Sequence, residues 1–125
     1  MKLVIVTGAS QGLGLGISQD LLEQGYLIAA CSRTQSDAVK SLQSHSEHIK
    51  WFELDVGNEA QVAPCIAKIR KWAKDAELWA LINNAGVAKE GVLATCPNVE
   101  SDQLLQTNLH GALYMARESL RVMYQ

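Results

Sequence analysis

Apolar and polar positions along this chain fall into blocks that switch between two periods. Lys2–Val6 is a short apolar, β-branched run that predicts a strand, and a glycine-rich turn follows it. From Leu13 to Gln24 the apolar residues Leu13, Ile17, Leu21 and Leu22 recur at helical spacing, and Gly25 stands where a helix C-cap glycine belongs. Leu27–Cys31 predicts a second strand. Val39 and Leu42 mark a weaker helix between Ser36 and Ser44. Ile49–Leu54 predicts a third strand, ending at Asp55. Asn58 can cap the next helix, which carries Val62, Ile66, Ile69 and Trp72 on one face. Leu78–Ile82 predicts a fourth strand, and a loop with Gly86, Gly91 and Pro97 follows. Ser101-Asp102 is expected to open a last helix carrying Leu104, Leu105, Leu109, Leu113 and Leu120. Strands alternating with helices imply an α/β fold with a parallel sheet covered on both faces. With no repeat and no linker composition, residues 1–125 are expected to be one domain.

Composition narrows the classes of partner. A chain of 125 residues that is 48% hydrophobic is long enough and apolar enough to bury a core. The net charge is −2 and no basic run is present, so nucleic acid is not an expected partner. No apolar stretch approaches the roughly 20 residues that cross a bilayer, and the first apolar run is too short for a signal-peptide core. No membrane association is expected. Cys31, Cys65 and Cys96 are odd in number and form no C-x-x-C pair. Three free thiols in a reducing cytosol, with no metal site, is the plain expectation.

The turn after the first strand reads Thr7-Gly8-Ala9-Ser10-Gln11-Gly12-Leu13-Gly14. A pyrophosphate bound there needs close approach of the backbone and the positive end of a helix dipole. Glycines at 8, 12 and 14 can serve the turn, the approach and the helix–strand packing. The spacing is G-x-x-x-G-x-G, a relative of the G-x-G-x-x-G dinucleotide fingerprint. A glycine-rich loop that binds nothing remains open at this point. A nucleoside-triphosphate loop does not fit, because no Lys-Ser or Lys-Thr closes the motif.

A dinucleotide site selects its ribose about 20 residues after the glycines. An acidic residue there would hold the 2′-hydroxyl of NAD. This chain has Ser32-Arg33-Thr34 instead, with Arg33 19 positions after Gly14. A guanidinium can grip a 2′-phosphate through charge-assisted bonds, and two hydroxyls beside it can add to them. NADP(H) is therefore expected over NAD(H), the alternative being a solvated surface arginine.

Taken together, Thr7-Gly8-x-x-x-Gly12-x-Gly14, Leu54-Asp55-Val56 and Asn83-Asn84-Ala85-Gly86 resemble the classical short-chain dehydrogenases/reductases. Thr107-Asn108-Leu109-His110-Gly111 resembles that family's stretch in the following helix. The resemblance implies a Rossmann-type doubly wound sheet and hydride transfer between nicotinamide and a small carbonyl or alcohol. It implies that Gly8, Ala9, Ser10, Gln11, Gly12, Leu13 and Gly14 surround the pyrophosphate and adenosine ribose. Asp55 and Val56 would flank the adenine, and Asn84, Ala85 and Gly86 the riboses. Asn108 would be the asparagine of the family's Asn-Ser-Tyr-Lys tetrad, interrupting its helix and holding a water. Singly, Asp55 could be a strand-end cap, Asn83 and Asn84 turn formers, and Asn108 an ordinary polar helix residue.

The family's proton donor is a tyrosine with a lysine four residues on. Tyr26 is followed four later by Ala30 and Tyr114 by Glu118, while Tyr124 precedes only Gln125. The chain is thus expected to be the cofactor-binding portion of such an enzyme, lacking the serine, tyrosine and lysine. The alternative is a nucleotide-binding or interaction module without turnover. Four strands are expected against six in the full arrangement, in the order 3-2-1-4. That order leaves Leu78–Ile82, with Trp79 and Leu81, at an apolar edge, and the last helix showing Leu109, Leu113, Tyr114 and Met115. Homo-oligomer formation through the edge or that helix is expected.

Overall fold

The computed structural model describes residues 1–88 and 90–125. Four strands form the sheet: β1 (Lys2–Thr7), β2 (Leu27–Ser32), β3 (Ile49–Glu53) and β4 (Glu77–Ile82). Their order is β3-β2-β1-β4, and every neighbouring pair is parallel. The register sets Leu3 beside Leu27 and Leu78, and Ala30 beside Trp51. Side chains alternate across the sheet. Leu3, Ile5, Ala29 and Cys31 face one core; Val4, Val6, Ile28 and Ala30 face the other. Strands buried on both faces explain why β1 and β2 read as continuous apolar runs rather than alternating ones.

The helices divide between the faces. Against Val4 and Val6 lie α1 (Gly12–Glu23), through Leu15, Leu21 and Leu22, and α2 (Asp37–His45), through Val39 and Leu42. Against Leu3 and Ile5 lie α3 (Glu59–Ala73), through Val62, Cys65, Ile66 and Ile69, and α5 (Ala112–Met123), through Met115. Capping follows the sequence closely. Ser36 accepts from Val39 N–H and Asn58 from Ala60 N–H. Gly25, at φ 94°, closes α1 with Tyr26 N–H to Leu21 C=O and Gly25 N–H to Leu22 C=O, both 3.1 Å.

Three helical expectations need correction. Leu13 is 73% exposed, and the buried face of α1 is Gly14 and Ser18, where small side chains let the helix approach the sheet. The last helix opens at Asn98, not at Ser101-Asp102. Pro97 has no N–H to lose and offers its carbonyl to Glu100 and Ser101. It runs as α4 (Asn98–Leu105), then a π-helical segment (Gln106–Gly111), then α5. Met115 is fully buried rather than displayed, whereas Leu109 and Leu113 are each 52% exposed.

β4 lies at the sheet edge, with the Lys2 ammonium 3.6 Å from the centroid of the half-exposed Trp79 ring. Cys31 on β2 and Cys65 on α3, distant in sequence, meet in the core. Hydrogen bonding to Cys65, then burial, hold the Cys31 thiol well above the usual range. All three cysteines are free. Among the described residues no helix is long and apolar enough to cross a membrane.

Candidate functional site

The carboxyl ends of β1, β2, β3 and β4 open on a cleft of about 480 Å³, within the range of small-molecule sites. One wall is the turn after β1. Gly8 and Gly12 have φ of 63° and 58°, conformations that cost glycine little and other residues more. A Cβ at Gly8 would meet Asn84 Nδ2 at 2.9 Å and Ala85 Cα at 3.0 Å, whereas a Cβ at Gly12 would meet open space. Gly14 lies beneath, where a Cβ would run into the Gly8 carbonyl oxygen and Asn84. The three glycines therefore divide the work as their spacing suggests: a left-handed turn, an open approach, and helix packing.

Thr7 and Asn84 fasten this wall to the end of β4. The buried Thr7 hydroxyl accepts from Ala85 N–H at 2.9 Å and Asn84 N–H at 3.1 Å, and donates to Ile82 C=O at 3.4 Å. Asn84 Nδ2 donates back to the carbonyls of Thr7 (3.2 Å) and Gly8 (3.1 Å). Ala9 N–H donates to Cys31 C=O, tying the turn to β2. Asn83 points elsewhere, donating to the Ala112 carbonyl at 3.2 Å.

Ser32, Arg33 and Thr34 form the far wall. Arg33 is exposed, and no carboxylate pairs with it among the described residues. Glu53, the register partner of Ser32, is exposed and does not line the cleft. The Ser32 hydroxyl is already engaged: it donates to Thr34 C=O at 2.9 Å and accepts from Trp51 Nε1–H at 2.8 Å. Of the two hydroxyls beside Arg33, only that of Thr34 is uncommitted among the described contacts.

Asp55 turns the chain after β3. Its Oδ1 accepts from Gly57 N–H at 3.0 Å, and its own N–H donates to Gln61 Oε1. The loop that follows is docked on the π-helical segment. A Cβ at Gly111 would sit 2.7 Å from Val56 Cγ2, and Gln106 Nε2 donates to Gly57 C=O (2.8 Å) and the Tyr114 hydroxyl (3.2 Å). From the same segment Asn108 clamps the loop after β4, accepting from Val87 N–H and donating to Val87 C=O, both at 2.8 Å. A π turn leaves i→i−4 partners unmade and re-aims side chains, which is what this two-sided docking requires.

The residues singled out from sequence thus meet in one place. Gly8, Ser10, Gln11, Gly12, Ser32, Arg33, Thr34, Asp55, Val56, Asn84, Ala85 and Gly86 line the cleft; Ala9, Leu13, Gly14 and Asn108 do not. Leu13 faces solvent, and Ala9 and Gly14 are buried behind the wall. Sequence reasoning missed Thr7 as a fastener, although its place before Gly8 at a strand end was a signal. It also missed Trp51 and Gln106, whose partners are distant in sequence and unmarked by any local pattern, and gave no site role to Thr107, which lines the cleft.

Comparison with known proteins identifies the family. A family model described as short chain dehydrogenase matches residues 2–125. The chain is 34% identical over 119 residues to 3-amino-tetrahydro-pyrrolizinone reductase of Xenorhabdus hominickii, covering 95% of this chain and 40% of that protein. It is 30% identical over 118 residues to the NADPH-dependent 1-acyldihydroxyacetone phosphate reductase of Saccharomyces cerevisiae, covering 94% and 40%. NADPH-bound carbonyl reductase from chicken fatty liver superposes with a TM-score of 0.86 at 26% identity, over 98% of this chain and 52% of that one. The chain spans about half the length of these proteins, or less. On the match across residues 2–125, the chain belongs to the short-chain dehydrogenase family.

Proposed function

We propose that the protein is an NADP(H)-dependent oxidoreductase and that this chain forms its dinucleotide-binding part. The observation that supports it most is one cleft joining the Gly8–Gly12 turn to the Arg33 guanidinium, which is unpaired among the described residues. The residues present fit the cofactor. Backbone N–H groups at the open Gly12 and the start of α1 suit a pyrophosphate, and a positive φ there leaves room that a side chain would fill. Arg33 suits a 2′-phosphate, and Asp55 and Val56 suit an adenine edge. Asn84–Gly86 would pass the riboses toward Val87 and Asn108. The bound cofactor would supply a hydride for a carbonyl or accept one from an alcohol.

Within these residues the protein's own work is binding and orientation. Arg33 selects the phosphate-bearing cofactor, while Asn84 and Thr7 hold the floor rigid. Asn108 keeps Val87 in place at the nicotinamide side. No Tyr-x-x-x-Lys occurs in the 125 residues, so turnover needs a proton donor from outside this sequence. Binding without turnover is the second reading, and that same observation favours it. The NADPH-dependent yeast relative and the NADPH-bound chicken enzyme support the choice of NADP(H). The substrate is a small carbonyl or alcohol; the exposed Leu109, Leu113 and half-exposed Trp79 suit packing against a second copy. Free thiols suit the cytosol.

Arg33→Asp tests the cofactor assignment. Loss of hydrogen bonds to a charged group costs roughly 1.5–3 kcal/mol, so NADPH should bind about 10- to 100-fold more weakly. NADH should bind as before. Equal losses for the two, measured by titration calorimetry, would sink the assignment.

A further inference from the structure

We infer that Trp51 is a positioning residue for cofactor selection, acting through Ser32 on the turn that carries Arg33; this rests on the NADP(H) reading above. Trp51 lies on β3, in register with Ala30, and so shares a sheet face with Ser32 two residues along β2. From that diagonal position its indole Nε1–H reaches the Ser32 oxygen at 2.8 Å. Ser32 is 8% exposed, so water competes little for this bond. The indole fills an acceptor site of the hydroxyl and leaves its single proton to be donated. That proton goes to Thr34 C=O at 2.9 Å. The result is a directed relay from indole to hydroxyl to carbonyl that closes the Ser32–Thr34 turn across Arg33.

Trp51 is itself held at both ends. Its backbone N–H donates to Gln43 Oε1 on α2 at 2.9 Å, and its ring packs against the core beneath that helix. Arg33 therefore projects from a backbone pinned on both sides, while its guanidinium stays unpaired among the described residues. Pinning has two consequences for a 2′-phosphate. The turn is ordered before the ligand arrives, which lowers the entropic cost of gripping it. The Thr34 carbonyl, whose oxygen would repel the dianion, is held by a donor within the protein. NADH has no charge at this point and gains from neither effect.

The test is Trp51→Phe, which keeps an aromatic ring and removes the N–H, made in the full-length protein. Dissociation constants for NADPH and NADH are measured for it, for Ser32→Ala, for the double variant and for the unaltered protein. One net hydrogen bond corresponds to roughly a three- to tenfold change in affinity. The expected result is a loss of about that size for NADPH with NADH unchanged. Ser32→Ala, the smaller change, should reproduce it, and the double variant should be no worse than either single one. A merely structural role would weaken both cofactors together. Equal loss for both, no loss for either, or additive losses in the double variant would overturn the relay while leaving Arg33 as the selector. An unaltered protein that fails to favour NADPH would overturn the NADP(H) reading, and this inference with it.

Discussion

Replacing Gly14 with alanine is expected to destabilise the protein and strip it of nucleotide affinity, although alanine is the better helix former. Gly14 lies in the first turn of α1, where helix propensity alone would favour alanine by about 1 kcal/mol. The added methyl, however, would run into the Gly8 carbonyl oxygen and come within 2.5 Å of Asn84 Nδ2. Neither neighbour can yield cheaply. The first is backbone at positive φ, and the second is held by hydrogen bonds to Thr7 and Gly8. Overpacking of this kind costs roughly 1–3 kcal/mol, which outweighs the propensity gain. The strain falls on the two pieces of chain that wall the cleft, so affinity drops tenfold for roughly every 1.4 kcal/mol of distortion felt there. Gly16→Ala supplies the internal comparison. It makes the same chemical change in the same helix, but nothing lies within 4 Å of the added Cβ. That variant should gain roughly 0.5–1 kcal/mol and keep full affinity. Urea unfolding of the two variants should therefore move in opposite directions.

Thr7→Val is the second large effect. Valine matches threonine in shape and keeps the strand preference of β1, so packing hardly changes. What disappears is an oxygen that serves both strand ends. Ala85 N–H then loses its partner at 2.9 Å, and Asn84 N–H keeps only Ile82 C=O at 3.0 Å. Thr7 is 1% exposed, so water cannot readily replace the hydroxyl. An unsatisfied N–H costs roughly 1–3 kcal/mol when fully shielded from water, and the half-buried Ala85 N–H falls toward the lower end of that range. A lower urea midpoint with unchanged m-value is expected, together with weaker NADPH binding as Asn84 and Ala85 shift. Thr7→Ser, which retains the oxygen, should lose well under half as much. Similar losses for valine and serine would mean that Thr7 acts through its methyl group and not as a fastener.

These two positions mark the boundary of what the sequence discloses. The strands were legible because a parallel sheet buried on both faces demands unbroken apolar runs, and Val4–Val6 and Leu27–Cys31 supply them. Caps at Asn58 and Gly25 were legible because each satisfies a local demand of the backbone. The face of α1 was not. Leu13, Ile17 and Leu21 fit helical spacing as well as Gly14, Ser18 and Leu21 do. Close approach to the sheet selects the small residues and turns Leu13 outward. Met115 was expected on the surface with Leu109 and Leu113 because a four-strand sheet leaves the last helix uncovered; two residues on from Leu113 in the same α-helix, it lies on the opposite face, in the core. The site divides in the same way. Glycine spacing and the strand-end motifs located the cleft, since they answer to local geometry. The Trp51–Ser32 bond, the Gln106–Gly57 bond and the Cys31–Cys65 contact join residues that no periodicity relates.

The central claim is that one dinucleotide spans one cleft, from the glycine turn to Arg33 and on to Gly86. Amide chemical-shift mapping during titration with NADP⁺ tests it most directly, because each segment reports separately. Shifts are expected at Gly8–Gly12, Ser32–Thr34, Asp55–Val56 and Asn84–Gly86, all saturating at a single ligand concentration. Shifts confined to the separate groove at Gly91–Leu105, or no saturable shifts in the four segments, would contradict the account.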